Sequence, residues 1–365
     1  MTCSRKGREQ GDRIGILLPP LAIADSRGGS VAGMSGALAA GYPGPAELTP
    51  LRVLTEWTLD PLALAFVVIL GTCYLAGVRR VRRQGQRWPR ARVVLFAGPG
   101  LGTLAAATMS WIGVYQDVLF YARAAQTILL LLVVPLFLAL GRPVSLAIAA
   151  LPRGGRRVER ALGSRTARVL TFPAITTVAL VAVPFSLYFT PWYAAALHSG
   201  AVRELTCLAL VAPGLVFFWT LLRVDPVPKA YPYLVSLWIA GAEVVFDAFL
   251  GLAVIADQHL IAGAYYHALA RPWGPSPRTD QILGGGTLWI FGDLVGLPFL
   301  AAQLIQMIRE DESEAADIDA ELDAKDAAGR ESTEDEQEAL PGDVPWWEAD
   351  PRFTGRFRPA GRKPG

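Results

Sequence analysis

The sequence predicts an all-α fold, a polytopic transmembrane helical bundle with seven spans, the N-terminus outside and the C-terminus in the cytoplasm. Three observations predict it. Apolar stretches of hydrocarbon length recur along the chain. Charged residues crowd into 79–92, 142–168 and 309–340 and are nearly absent between those segments. The connectors alternate between arginine-rich and arginine-poor. Of the 365 residues, 52% are hydrophobic and 18% charged, against about 25% charged in soluble domains. A soluble protein spreads its charges over every amphipathic element, whereas a polytopic membrane protein confines them to loops. The formal charge of +2 therefore matters less than its distribution.

Residues 1–55 read as a flexible leader. Basic residues precede a short apolar run, as in a signal peptide, but the run from Ile14 to Ala24 holds two prolines and is closed by Asp25. Met34 is an alternative start. Residues 56–308 form the transmembrane domain, with spans expected at Pro61–Val78, Val93–Ile112, Val118–Leu140, Ala167–Phe189, Ala201–Leu222, Leu234–Ile255 and Ile282–Ile308. The first is short and the last long enough to tilt or to leave the bilayer. Gly98, Gly100 and Gly102 flank Pro99 in the second; with no strand before them and no GK[ST] after, they suit close helix contact rather than phosphate. Gly292 and Gly296 form a small-xxx-small pair around Asp293, and Gly284–Gly286 gives the last span a closely packed or flexible entry.

Arginine and lysine in short loops set the orientation. The connector after the first span holds Arg79, Arg80, Arg82, Arg83, Arg87, Arg90 and Arg92. The one after the third holds Arg142, Arg153, Arg156, Arg157, Arg160 and Arg165, and the one after the fifth Arg223 and Lys229. The intervening connectors Gly113–Asp117 and Thr190–Gly200 have no basic residue, and the last outer one has only Arg271 and Arg278. Trp57, Trp111, Trp192, Trp219 and Trp273 fall near span ends, at the headgroup level that amphipathic rings prefer. These features place the chain in a bilayer as a multi-pass protein.

Residues 309–365 read as an acidic, largely disordered cytoplasmic tail, whose first part can continue the last helix. It ends in an aromatic-basic segment with Trp346, Trp347, Phe353 and Phe357 among Arg352, Arg356 and Arg358. Such a segment either folds back on the membrane surface or docks a cytoplasmic partner.

Ionisable residues inside spans are the functional candidates. They are Arg123 in the third span, Glu243 and Asp247 four apart on one face of the sixth, and Asp293 in the seventh. Arg123 is expected to face Asp247 or Glu243 across the bundle, as a structural ion pair or on a proton or ion path. The candidate metal ligands His198, Cys207, His259 and His267 lie on the outer side, with Met109 near the outer end of the second span. Imidazole, thiolate and thioether suit copper, yet no HxxxH or CxxxC spacing marks a site, and solvated loop histidines are the plainer reading. No motif demands a cofactor; copper is the one these groups would admit. The three cysteines form no disulfide framework. No nucleophile is paired with a base and no nucleic-acid module is recognisable, so neither an enzyme nor a nucleic-acid partner is expected.

Four segments carry a family resemblance. RPWGPSPRTDQILGGGTLWIFGDL (Arg271–Leu294), which includes Trp273, Asp280 and Gln281, resembles a signature of the bacterial CtaG-type cytochrome c oxidase assembly family. So do the third span, YARAAQTILLLLVVPLFLALGRPVSLA (Tyr121–Ala147), LTPLRVLTEWTLDPLAL (Leu48–Leu64) and GLVFFWTLLRVDP (Gly214–Pro226). The resemblance covers about residues 48–320 and implies a plasma-membrane protein linked to assembly of the copper centre of haem-copper oxidases, with oxidase subunits as partners. Family members typically show a His-x-x-Gln-His-like pattern in the third span; here Gln126 remains, flanked by Arg123 and Thr127. A second histidine pair at the start of the fifth span corresponds to Arg203 and Cys207. An arginine stays protonated and cannot ligate copper. The resemblance thus implies a divergent member that keeps the fold and the oxidase partner, with the metal site lost or moved. Its role would be scaffolding or copper delivery. The rivals are a small proton-coupled transporter using Glu243, Asp247 and Asp293, and a structural subunit docking a partner through its tail.

Overall fold

The computed structural model describes residues 42–228 and 233–337. Among them are twelve helices and no strand. In chain order the helices are α1 Pro50–Thr55, α2 Pro61–Arg83, α3 Arg90–Tyr115, α4 Phe120–Ala150, α5 Pro152–Leu162, α6 Arg165–Leu170, α7 Pro173–Phe189, α8 Trp192–His198, α9 Gly200–Leu222, α10 Tyr233–Ala256, α11 Gly263–Leu269 and α12 Pro277–Gln337. The all-α membrane fold is as expected. Six helices, α2, α3, α4, α9, α10 and α12, are long and apolar enough to cross a bilayer.

The fourth expected span departs from expectation. Instead of one helix over Ala167–Phe189, the chain forms α6, then the 17-residue α7, then turns by 69° into α8. Proline explains both ends. Pro173 starts α7, and Pro191 forces Thr190 into extended backbone (φ −125°, ψ 172°). The span count is therefore six, or seven when α7 and α8 are taken as one bent span.

Helix α4 is the centre of the bundle. Two-thirds of its apolar window (67%) is buried inside the protein, against 17% for α2. Its Ile128, Leu130, Leu131, Leu132 and Val134 are almost fully enclosed, with α3, α9 and α12 against it. Two π-turns mark prolines. Phe96–Leu101 contains Pro99, and Leu129–Val133 ends just before Pro135. Proline lacks the N–H that would bond the preceding turn, so the ladder widens there.

In lipid the apolar effect does not drive one helix against another, so close backbone approach carries the packing. Gly214 of α9 lies directly on the Leu131 carbonyl oxygen of α4, where a Cβ would overlap it. Gly251 of α10 and Gly285 of α12 face each other: a Cβ on either would stand 2.5 to 2.7 Å from the other's carbonyl oxygen. The glycine entry to the last span is thus closely packed. Of the glycines around Pro99, only Gly100 makes a tight helix contact, with Leu138; Gly98 faces open space.

At the end of the segment read as a leader, Pro50–Thr55 is helical. Thr49 caps α1 by accepting from Arg52 N, Pro50 supplies the first helical position, and Tyr115 Oη donates to Ala46 O at 2.8 Å. In the tail, α12 runs on to Gln337, because its alanine, glutamate and lysine content favours helix and Glu321 pairs with Lys325 one turn on at 2.8 Å. Residues 1–41, with Met34, and 338–365, with the aromatic-basic end, lie outside the described residues.

Candidate functional site

The strongest polar concentration lies at the arginine-poor end of the bundle, where α3 turns into α4 and α9 begins. Helix α4 starts at Phe120, which puts Arg123 in its first turn. A cation there opposes the positive end of the helix dipole. Asp117, in the preceding connector, offsets it: Arg123 Nη2 donates to Asp117 Oδ1 at 2.9 Å. Arg123 Nη1 donates to Gln116 Oε1 at 3.1 Å and to Gln126 Oε1 at 3.2 Å. Arg203, in the first turn of α9, reaches the other carboxylate oxygen, Asp117 Oδ2, at 3.0 Å. One aspartate thereby joins α4 to α9. The Arg123 side chain is only 3% exposed, while Asp117 and Arg203 are near 30%.

The other positions on this face of α4 are structural as well. Gln126 Nε2 donates to Ala107 O of α3 at 2.9 Å. Thr127 Oγ1 bonds Arg123 O at 2.9 Å and the Tyr188 hydroxyl of α7 at 3.0 Å. Tyr188 belongs to an aromatic cluster with Phe120 and Tyr193, and Tyr193 shares a 2.7 Å hydroxyl–hydroxyl bond with Tyr266 of α11. Burial pushes the Tyr266 phenol well up from its ordinary value.

The expected pairing of Arg123 with Glu243 or Asp247 is not what the structure shows. At 1.5 Å per residue, Arg123 stands about 5 Å along α4 from its start, whereas Asp247 and Glu243 stand about 14 and 20 Å along α10 from its end at Ala256. The guanidinium meets Asp117 before it could descend that far. Glu243, Asp247 and Asp293 instead gather between α10 and α12. A Cβ on Gly292 would stand 2.6 Å from Asp247 Oδ2, and one on Gly296 3.0 Å from Glu243 Oε2. The small-xxx-small pair is thus what lets the two carboxyl side chains lie against α12. Glu243 Oε1, Asp247 Oδ2 and Asp293 Oδ1 are buried without a hydrogen-bond partner among the described residues.

The signature around α11 and the start of α12 forms a second network. Asp280 accepts from Tyr121 N at 3.1 Å and from Arg271 Nη2 at 3.2 Å, tying α12 to the start of α4. The Arg271 guanidinium lies 5.0 Å from the Trp273 ring centroid, and Trp273 meets Tyr42 and Tyr115 edge-on. Burial raises the Tyr42 phenol to about 12. Gln281 closes the loop after α10: its Oε1 accepts from Ile261 N at 2.9 Å, and its Nε2 donates to Val254 O at 3.2 Å and His259 O at 3.1 Å.

The candidate soft ligands are not brought together. His198 is exposed and packs edge-on to Tyr265, the His259 side chain is 97% exposed, and His267 is exposed on α11. Cys207 lines a cavity of about 250 Å³ with Thr108 and Glu204. Among the described residues no three His, Cys, Asp or Glu side chains stand close enough to hold a metal ion. Two of the motif positions hold groups that cannot ligate copper: Arg123 and Arg203 are cationic, and both converge on Asp117.

The profile of the cytochrome c oxidase caa3 assembly factor family matches residues 72–310. This chain belongs to that family. The match takes in Asp117, Arg123, Arg203, Asp280 and the three carboxyl side chains. Similar proteins include uncharacterized proteins of Mycobacterium bovis and Mycobacterium tuberculosis, each 31% identical over 292 residues, and one of Mycobacterium leprae, 29% identical over the same length. The alignments cover 78% of this chain and 44% of each relative, so the chain spans less than half the length of the curated relatives it matches. No solved structure matches.

Asp117, which joins Arg123 and Arg203, was not singled out from the sequence. It is the one charged residue in an otherwise uncharged connector and lies six positions before Arg123, which is the signal that could have found it. Asp225 was also missed. It caps the Pro143 end of α4's last section, accepting from Val144 N and Ser145 N at 3.0 Å and from Ser145 Oγ at 2.5 Å.

Proposed function

We propose that this caa3 assembly factor family member acts as a non-catalytic scaffold in the bacterial plasma membrane, holding cytochrome c oxidase subunits during assembly without ligating copper at the family-motif positions. The Arg123–Asp117–Arg203 network carries this reading. A metal site needs deprotonated or neutral donors converging on one point. Here two of the four motif positions, Arg123 and Arg203, bear guanidinium groups, and the carboxylate between them is already shared by both. The same network fixes α4 against α9 and so presents a rigid arginine-poor end. Copper delivery would need His198, Cys207, His259 or His267 to act from separate places. Deleting the gene and recording haem and copper spectra of the membranes tests the reading. Reduced oxidase signal is expected, and intact oxidase in the deletion strain would remove it.

A second reading has an observation of its own. The carboxyl groups of Glu243, Asp247 and Asp293, gathered between two spans without a basic partner among the described residues, are of the kind that carry protons or cations across membranes. Proton or cation flux into proteoliposomes, abolished by Asp247→Asn, would favour that role over scaffolding.

A further inference from the structure

At the arginine-rich end, α2 packs on the foot of α4 through Gly77 against Leu146 and a 2.7 Å bond from the Tyr74 hydroxyl to Gly141 O, and beside this contact a groove of about 810 Å³ opens between the two helices. Its walls are apolar, formed by Leu70, Ala76, Phe96, Leu146, Ala147 and Leu151. Its mouth is lined by Arg79, Arg80 and Arg83. These three arginines are exposed, and their side chains make no hydrogen bond or ion pair among the described residues. Along α2 the lining runs from Leu70 to Arg83, which is about 20 Å at 1.5 Å per residue. One leaflet, from bilayer midplane to headgroups, is also about 20 Å deep. The arginines therefore fall at headgroup level when the apolar walls lie in hydrocarbon. Of the six long apolar helices, α2 is the least covered by protein. We propose that this groove is a binding site for one anionic phospholipid, its acyl chains between α2 and α4 and its phosphate on Arg79, Arg80 and Arg83.

The charge argument selects the occupant. A zwitterionic lipid would fill the apolar walls equally well but leave three unpaired cations at the mouth. A soluble anion would meet the cations and leave the walls empty. Guanidinium groups at the membrane surface contribute to anionic-lipid binding additively, and three of them correspond to roughly a hundredfold in affinity.

Cys73, exposed on the groove wall, supplies a local readout. The full chain in nanodiscs of phosphatidylglycerol or of phosphatidylcholine would be treated with an N-alkyl maleimide, and modification of the Cys73 peptide followed by mass spectrometry. Phosphatidylglycerol should slow alkylation at least about tenfold relative to phosphatidylcholine. The triple variant Arg79→Gln, Arg80→Gln, Arg83→Gln should lose that difference. Ala147→Phe, which fills the groove without touching the arginines, should displace the lipid retained by native mass spectrometry while the protein stays monodisperse. Equal protection by both lipids would overturn the proposal, as would undiminished retention of phosphatidylglycerol in the triple variant. Equal protection by inorganic phosphate in phosphatidylcholine discs would also overturn it, and so would a dimer that buries Cys73 in the absence of anionic lipid.

Discussion

Replacing Asp117 by asparagine removes one negative charge while keeping the side chain's shape and one acceptor oxygen. Two contacts are lost in unequal measure. The Arg203 contact joins two side chains that are each about 30% exposed, so it belongs with surface pairs worth about 0–1 kcal/mol. The Arg123 contact is different, because Arg123 is 3% exposed. Removing one partner of a fully buried pair costs about 3–5 kcal/mol. The one-third exposure of Asp117 and the remaining bonds from Arg123 to Gln116 and Gln126 bring this down to about 2 kcal/mol. The expected total is about 2–3 kcal/mol of lost stability. Equilibrium unfolding in mixed micelles measures it, alongside Arg123→Met and the double variant. The double variant should recover most of the loss, since the uncompensated cation is then absent. A single variant within about 0.5 kcal/mol of the parent, or losses that simply add, would refute the reasoning.

Gly214→Val forces a branched side chain onto the Leu131 carbonyl. It should cost more than about 1–3 kcal/mol and sharply lower the yield of folded protein from membranes, as quantified by fluorescence-detected size exclusion. Asp280→Asn leaves the buried Arg271 cation without its charged partner, so proteolysis of the connector between α10 and α12 should accelerate markedly; an unchanged rate would show that Trp273 and Pro275 O suffice to hold Arg271. Asp225→Ala strips the cap from Val144 and Ser145 and should cost about 1–2 kcal/mol in the same unfolding assay, with Asp225→Asn costing less.

Much of the fold was legible because bilayer physics leaves few solutions. A chain that must satisfy its backbone inside hydrocarbon forms helices of about 20 residues, and these can be read from composition alone. Where the reading failed, the determinants were local or long-range. Pro191 broke the fourth span, and hydropathy averages do not register one proline. In the acidic tail, 309–365, the first part was expected to continue the last helix, and alanine-rich helix propensity carries α12 as far as Gln337. For the candidate site, the four-residue spacing of Glu243 and Asp247 put them on one face of their helix, and both lie against α12. The acid that answers Arg123 was sought in another span, at Asp247 or Glu243, whereas the partner is Asp117 in the adjoining connector, whose depth matches that of Arg123. Asp225 lies some 80 positions from the backbone it caps, and no periodicity links them.

Whether oxidase assembly depends on the Arg–Asp–Arg network proposed above or on copper ligands can be read by complementing a deletion strain with two alleles and comparing oxidase haem and copper signals in the membranes. His198→Ala, Cys207→Ala, His259→Ala and His267→Ala combined should restore the signals as well as the parent gene, while Asp117→Asn should not. Failure of the fourfold ligand variant alongside full restoration by Asp117→Asn would contradict the proposed dependence on the network.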